Sequence, residues 1–173
     1  MAYHQAPLPR TLSTLLSTER MGTYERIAAQ RGSSALELYV LDLELSAAFM
    51  ADLALTEVCL RNAMDAQLST HFGPTWYRRD DLFDERSRNA IKQAWRAGNC
   101  TDTSPPGKLI AELMLGFWVG LLDAGGYADR PPHNVRRSYD NLLWRPCLRH
   151  AFPHGSGKRS AQHTLAKRVH ALR

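Results

Sequence analysis

From Ser34 to about His71 the chain has no Pro and no Gly, and Leu, Ala, Met and Glu dominate. These are strong helix formers. Ser34 followed by Glu37 is the pattern of a capping box. "FGP" at Phe72 to Pro74 ends the run. The pattern predicts one long helix, or two joined by a slight kink. An average helix has about 11 residues, so this one is expected to span the domain. A second apolar stretch, "GKLIAELMLGFWVGLLDAGG", begins at Gly107. Leu109, Leu113, Phe117 and Leu121 share one face, Ile110, Met114, Trp118 and Leu122 lie beside it, and Leu115 and Val119 cover much of the rest. A helix apolar nearly all round is central, and Gly116 and Gly120 leave room for another helix to approach.

Shorter elements fill the remainder. Two short helices are expected to open the fold, one with Ser17 as N-cap and Gly32 as stop. "SRNAIKQAWRAG" predicts a helix closed by Gly98. "DNLLWRPCLRHAF" predicts a short helix entered before Pro146 or broken by it. "PHGSGK" reads as a flexible link. The last helix is expected near Ser160, with an apolar stripe of Ala161, Leu165, Val169 and Leu172. No segment alternates with period two over six or more residues. The fold class is all-α: five to seven helices around a long antiparallel pair, in one domain over residues 1–173.

Composition narrows the class. A hydrophobic share of 44% supports a folded core. The first ten residues lack an apolar secretory core. The run around Leu109 to Leu122 is shorter than the roughly 20 residues of a membrane span and carries Glu112. A cytoplasmic protein with no membrane partner is expected. Three Cys at wide spacing suggest neither a disulfide framework nor a zinc site. Cys59 reads as a small core residue.

Charge is uneven. Residues 1–125 hold 12 Lys+Arg and 15 Asp+Glu, a balance of −3, whereas residues 126–173 hold 10 and 2, a balance of +8. Five of the seven His also fall in that last segment. The asymmetry fits a phosphate-bearing partner and equally a solubilising basic tail. Arg136, Arg137, Arg145 and Arg149 surround the short helix, and Lys158, Arg159, Lys167, Arg168 and Arg173 surround the last one. Trp144 and Tyr139 lie among the first group, as base-stacking platforms or as core. His163, His170 and Arg173 share the last helix, a pairing suited to RNA cleavage. Glu57 shares a face with Leu53, Leu60 and Met64, and Arg61 follows four residues on. Glu57 with Arg61 and neighbouring Asn62 forms either a structural ion pair or the polar wall of a basic site. No Gly-rich phosphate loop, Gly-x-Ser-x-Gly or His-Glu-x-x-His occurs, which argues against a nucleotide-dependent enzyme, an α/β-hydrolase and a metalloprotease. No metal or cofactor is called for.

Several segments together resemble the Abi-like (abortive infection) family. "ALELYVLDLELSAAFMADLALTEVCLRNAMDAQL" is similar to its long opening helix, and "FGPTWY", "GKLIAELMLGFWVGLL" and "LWRPCLRHAFPH" to its next three landmarks, in order. The match from Gly107 to Trp118 is the specific one. The resemblance implies a HEPN-like helical fold, frequent dimerisation, phage defence and metal-independent RNA cleavage. The HEPN signature is Arg, four to six residues, then His. "HALR" resembles the start of the family's Leu-Arg-Asn-Arg-Ile-Ala-His-His-Glu-Pro segment, which makes Arg173 the signature Arg. The chain is therefore expected to be cut inside that motif and impaired by loss of the His. Arg145 to His150 and Arg149 to His154 repeat the spacing away from the motif position and read as chance. Expected roles are Arg173 on the scissile phosphate, Glu57, Arg61 and Asn62 lining the pocket, and Arg145, Arg149, Lys167 and Arg168 guiding the RNA backbone. The competing expectations are a non-catalytic RNA-binding or phage-sensing module, and a degenerate remnant.

Overall fold

The computed structural model describes residues 16–128 and 135–172. Arg173 lies outside them. The regular elements among the described residues are helical, and one isolated antiparallel bridge joins Tyr127 to Arg136. Six α-helices are present: α1 (Thr18–Arg31), α2 (Ala35–Phe72), α3 (Glu85–Ala97), α4 (Pro106–Glu112), α5 (Leu115–Leu121) and α6 (Arg159–Ala171). Short 3-10 or π turns cover Trp76–Arg78, Asp140–Trp144 and Leu148–Ala151. No helix among the described residues is long and apolar enough to cross a membrane. The chain divides into two compact units, up to Asp52 and from Leu53, with α2 running through both.

In the first unit the local signals act as expected. The Ser17 hydroxyl accepts the Arg20 N–H at 3.3 Å, and Gly32 closes α1 in the left-handed region at φ 65°. The Ser34 hydroxyl accepts the Glu37 N–H at 3.4 Å, one half of the capping box. Tyr24 and Tyr39 meet edge to face at 5.3 Å, and the Tyr24 hydroxyl donates to Asp42 Oδ2 at 2.7 Å. Leu41, Leu43, Leu45, Phe49 and Met50 are exposed.

The second unit is a helical bundle with the main core. Met64 and Leu68 of α2 pack with Trp76, Phe83, Leu109, Phe117, Trp118, Leu121 and Leu143, all fully or nearly buried. The Trp76 ring stacks on Phe117 at 6.2 Å and meets Trp118 edge-on at 5.9 Å. Trp76 Nε1 donates to Asp65 Oδ1 at 2.8 Å, which satisfies its one polar atom. Tyr139 is fully buried: its hydroxyl accepts the Asp84 N–H at 3.1 Å and donates to Ser87 Oγ at 2.7 Å. Asp84 also caps α3 by accepting the Ser87 N–H at 2.9 Å.

Three expectations need correction. First, the stretch from Gly107 is not one helix. Leu113 (ψ 109°) and Met114 (ψ 161°) are extended and divide it into two seven-residue helices, so no second long helix pairs with α2. The break is sealed by three side chains, two from α2 and one from α5 itself. Glu57 Oε1 accepts the Leu115 N–H at 3.0 Å, the Arg61 guanidinium donates to the Ala111 carbonyl at 2.9 Å, and Trp118 Nε1 donates to the Leu113 carbonyl at 3.0 Å. An anion thus sits at the start of α5 and a cation at the end of α4, the signs that the two helix ends favour. Second, Cys59 is exposed, because α2 turns its other face to the core, and the buried thiols are Cys100 and Cys147. Third, α6 does not bury Leu165 or Leu172, which remain 59% and 69% exposed. Its half-buried positions are Arg159, Gln162, His163, Ala166 and, of the expected stripe, Val169; the His170 ring lies over Gly116, its Nε2 3.3 Å from where a Cβ would stand.

Candidate functional site

The sequence around Pro146 decides the site's first wall. Residues Asp140–Trp144 form a π turn closed by the Arg145 N–H on the Asp140 carbonyl at 3.0 Å. Pro146 has no N–H to carry the ladder on, and a 3-10 turn follows at Leu148–Ala151. This irregular segment holds Leu143, Trp144, Cys147 and Leu148 in the core and leaves Arg145 and Arg149 outside. Trp144 meets the Phe152 ring at 5.8 Å and is 5% exposed. Trp144 and Tyr139 are therefore core residues rather than open stacking platforms.

The second wall is the start of α6. Between the two walls lies a cleft of about 450 Å3 lined by Asp140, Trp144, Arg145, Arg149, Gly157, Lys158, Arg159 and Ser160. Four cations face one carboxylate there. Arg145 Nε donates to Asp140 Oδ2 at 2.7 Å. Arg159 Nη1 donates to the Leu122 carbonyl at 2.6 Å, and its Nε stands 3.6 Å from Asp140 Oδ1. That Nε is buried without a hydrogen-bond partner. The 3.6 Å separation is an ion-pair contact too long for a hydrogen bond. Asp140 therefore holds two guanidinium groups in place while the cleft keeps an excess of positive charge. The Arg149 Nε–H points to His150 Nε2 at 3.2 Å.

The expected site residues separate into groups. Arg145 and Arg149 come together in the cleft. Lys167 and Arg168 are exposed further along α6, outside its lining. Glu57 and Arg61 meet at the α4–α5 break, and Asn62 is exposed beside them. Glu57 lines a different cavity, of about 550 Å3, with Glu112, Gln93, Phe117 and the alanines of α3 and α4. The two cavities share no lining residue. Glu57 and Arg61 thus serve the packing of two helix ends, and they do not form a wall of the basic cleft. His163 lies beside Asp123, and His170 lies against Gly116. Desolvation pushes the Asp123 carboxyl up, but the Ala124 N–H, His163 and Arg86 together hold it below the usual carboxylate range.

Lys158 and Arg159, read in the sequence as part of the basic group around the last helix, complete the cleft together with Asp140, which the sequence did not single out. The one local signal is "PHGSGKRS", where glycines and two cations run directly into a helix. Among the described residues no cluster of His, Cys, Asp and Glu is arranged to hold a metal ion. No protein family, curated protein or solved structure matches this chain.

Proposed function

We propose that this chain is an RNA-binding protein of phage defence, built on the Abi-like, HEPN-type helical plan that its segments resemble. The defence role and RNA cleavage rest on that resemblance. Binding rests on one observation: Arg145, Arg149, Lys158 and Arg159 converge on a single cleft opposed only by Asp140. Cations held on folded elements neutralise phosphates and release counterions, a term that needs no base sequence. Lys167 and Arg168 extend the basic surface along α6. In the family plan that the segments resemble, Arg173 contacts the scissile phosphate at a site shared by two protomers. A homodimer through α2 fits this reading, because Leu41, Leu45 and Phe49 recur every four residues as an exposed stripe.

The test titrates a labelled single-stranded RNA with the full chain at several salt concentrations. A log–log slope of about −0.7 per phosphate neutralised predicts about −2 for three engaged cations. No binding at about 50 mM salt, or binding indifferent to salt, would sink the RNA reading. Sedimentation of the same sample reads the dimer.

A second reading, binding without cleavage, is favoured by the placement of His163 and His170. Both sit where α6 packs, and neither lines the cleft. Incubation of bound RNA in a chelator separates the two readings. Fragments support the nuclease, and intact RNA supports the binding module.

A further inference from the structure

Charge alone treats the cleft as part of a basic surface, but its shape asks for more. The cations do not follow a track. They surround one volume of about 450 Å3, closed on one side by the Asp140–Arg149 segment and on the other by residues 157–160. Several donors there are unspent. The terminal guanidinium nitrogens of Arg145 and Arg149 and the Lys158 ammonium make no hydrogen bond to a described residue. Arg159 Nε is buried and unsatisfied.

The start of α6 adds donors of another kind. Lys158 occupies the N-cap position and has no side chain able to accept, so the first-turn N–H groups of this 13-residue helix lack a side-chain cap. Such groups, with the positive end of the helix dipole, favour an anion. Gly157 makes the entry turn at φ 71°, with open space where a Cβ would stand, so the backbone leaves the approach clear. Asp140 pre-orients Arg145 and Arg159 at no cost to a ligand, since both contacts already exist.

The donor set exceeds what an internal phosphodiester can use. A diester brings one charge and two free oxygens. A phosphomonoester brings about −1.5 to −2 charges at neutral pH and three strong acceptors. A cleft with a net charge of +3 from four cations and one carboxylate matches the second better. We propose that this cleft recognises a phosphomonoester, carried by the end of an RNA strand. For that source the proposal rests on the RNA reading; a free nucleotide carries the same group.

The experiment compares one short RNA with a 5′-phosphate, with a 3′-phosphate, and with hydroxyls at both ends, at fixed salt, by fluorescence anisotropy with the full chain. AMP is compared with adenosine as competitor in parallel. At least about a tenfold preference for one phosphorylated strand is expected. Lys158→Ala and Arg149→Ala should each cut that preference severalfold at unchanged melting temperature, since both side chains are exposed. Equal affinity for all three strands, with AMP no better than adenosine, overturns the phosphate site and keeps the RNA reading. AMP binding by a chain that binds no strand keeps the phosphate site and overturns the RNA source. Failure of strands and AMP alike overturns both.

Discussion

Replacing Glu57 by Ala tests what holds α4 and α5 apart as two helices. Glu57 Oε1 accepts the Leu115 N–H at 3.0 Å, and Leu115 is only 2% exposed. The alanine variant removes the side-chain acceptor of that N–H. Hydrogen bonds to charged groups contribute about 1.5–3 kcal/mol, and loss of a helix N-cap costs about 0.5–2 kcal/mol. These ranges describe the same bond and do not add. Glu57 is half-buried, so water can partly replace it, and a loss of about 1.5 kcal/mol is expected. In a chain of this size that lowers Tm by about 3–6 °C. Glu57→Gln keeps an acceptor and removes only the charge, for a smaller loss of about 0.5 kcal/mol. Urea unfolding and thermal melts of the three proteins give the numbers. If Glu57→Ala unfolds at the wild-type midpoint with an unchanged m value, the break belongs to the local sequence and the tertiary cap is irrelevant. If Ala and Gln cost the same, charge and not the hydrogen bond sets the effect.

Three further outcomes are expected. Tyr139→Phe removes a buried hydroxyl that accepts from the Asp84 N–H and donates to Ser87; it should cost about 1–2 kcal/mol in urea unfolding, and a wild-type midpoint would refute the role. Burial pushes the Cys147 thiol up to about 11 and raises the Tyr139 phenol well above its ordinary value. Both folded pKa values lie above the unfolded ones, so this stability is complete below about pH 8.5; the Cys147 part is lost as pH rises through about 11, and the Tyr139 part begins to fall only above about pH 10; a urea midpoint flat from pH 8 to 11 would contradict it. Maleimide labelling at neutral pH should give one fast adduct, at Cys59, because Cys100 and Cys147 are buried; rapid labelling of all three thiols would refute the packing.

The elements with local signals were legible in the sequence. Ser17 and Gly32 bound α1, Ser34 and Phe72 bound α2, and Gly98 closes α3, since caps and stops act over one helical turn. The all-α class follows from the same periodicity. Part of the cleft was legible too: Arg145, Arg149, Lys158 and Arg159 stood out through charge, and "PHGSGK" read as the link before a last helix expected near Ser160. What joins them was not. Asp140 and Arg159 are 19 positions apart, and only packing brings the Arg159 guanidinium to both Asp140 and the Leu122 carbonyl. The inner face of α6 was hidden for a similar reason: Arg159, His163 and Ala166 are half-buried while Leu165 stays exposed, an outcome of packing against the rest of the bundle. The break at Leu113 and Met114 carries no Pro or Gly. It exists because Glu57, Arg61 and Trp118 supply hydrogen bonds that the backbone then need not make for itself. Sequence by itself determined α1, α2 and α3 with their end signals and the basic C-terminal third, which depend on neighbours a turn apart. Tertiary structure alone decided where a helix breaks, which face is buried and which cations converge, because each depends on atoms brought together from distant parts of the chain.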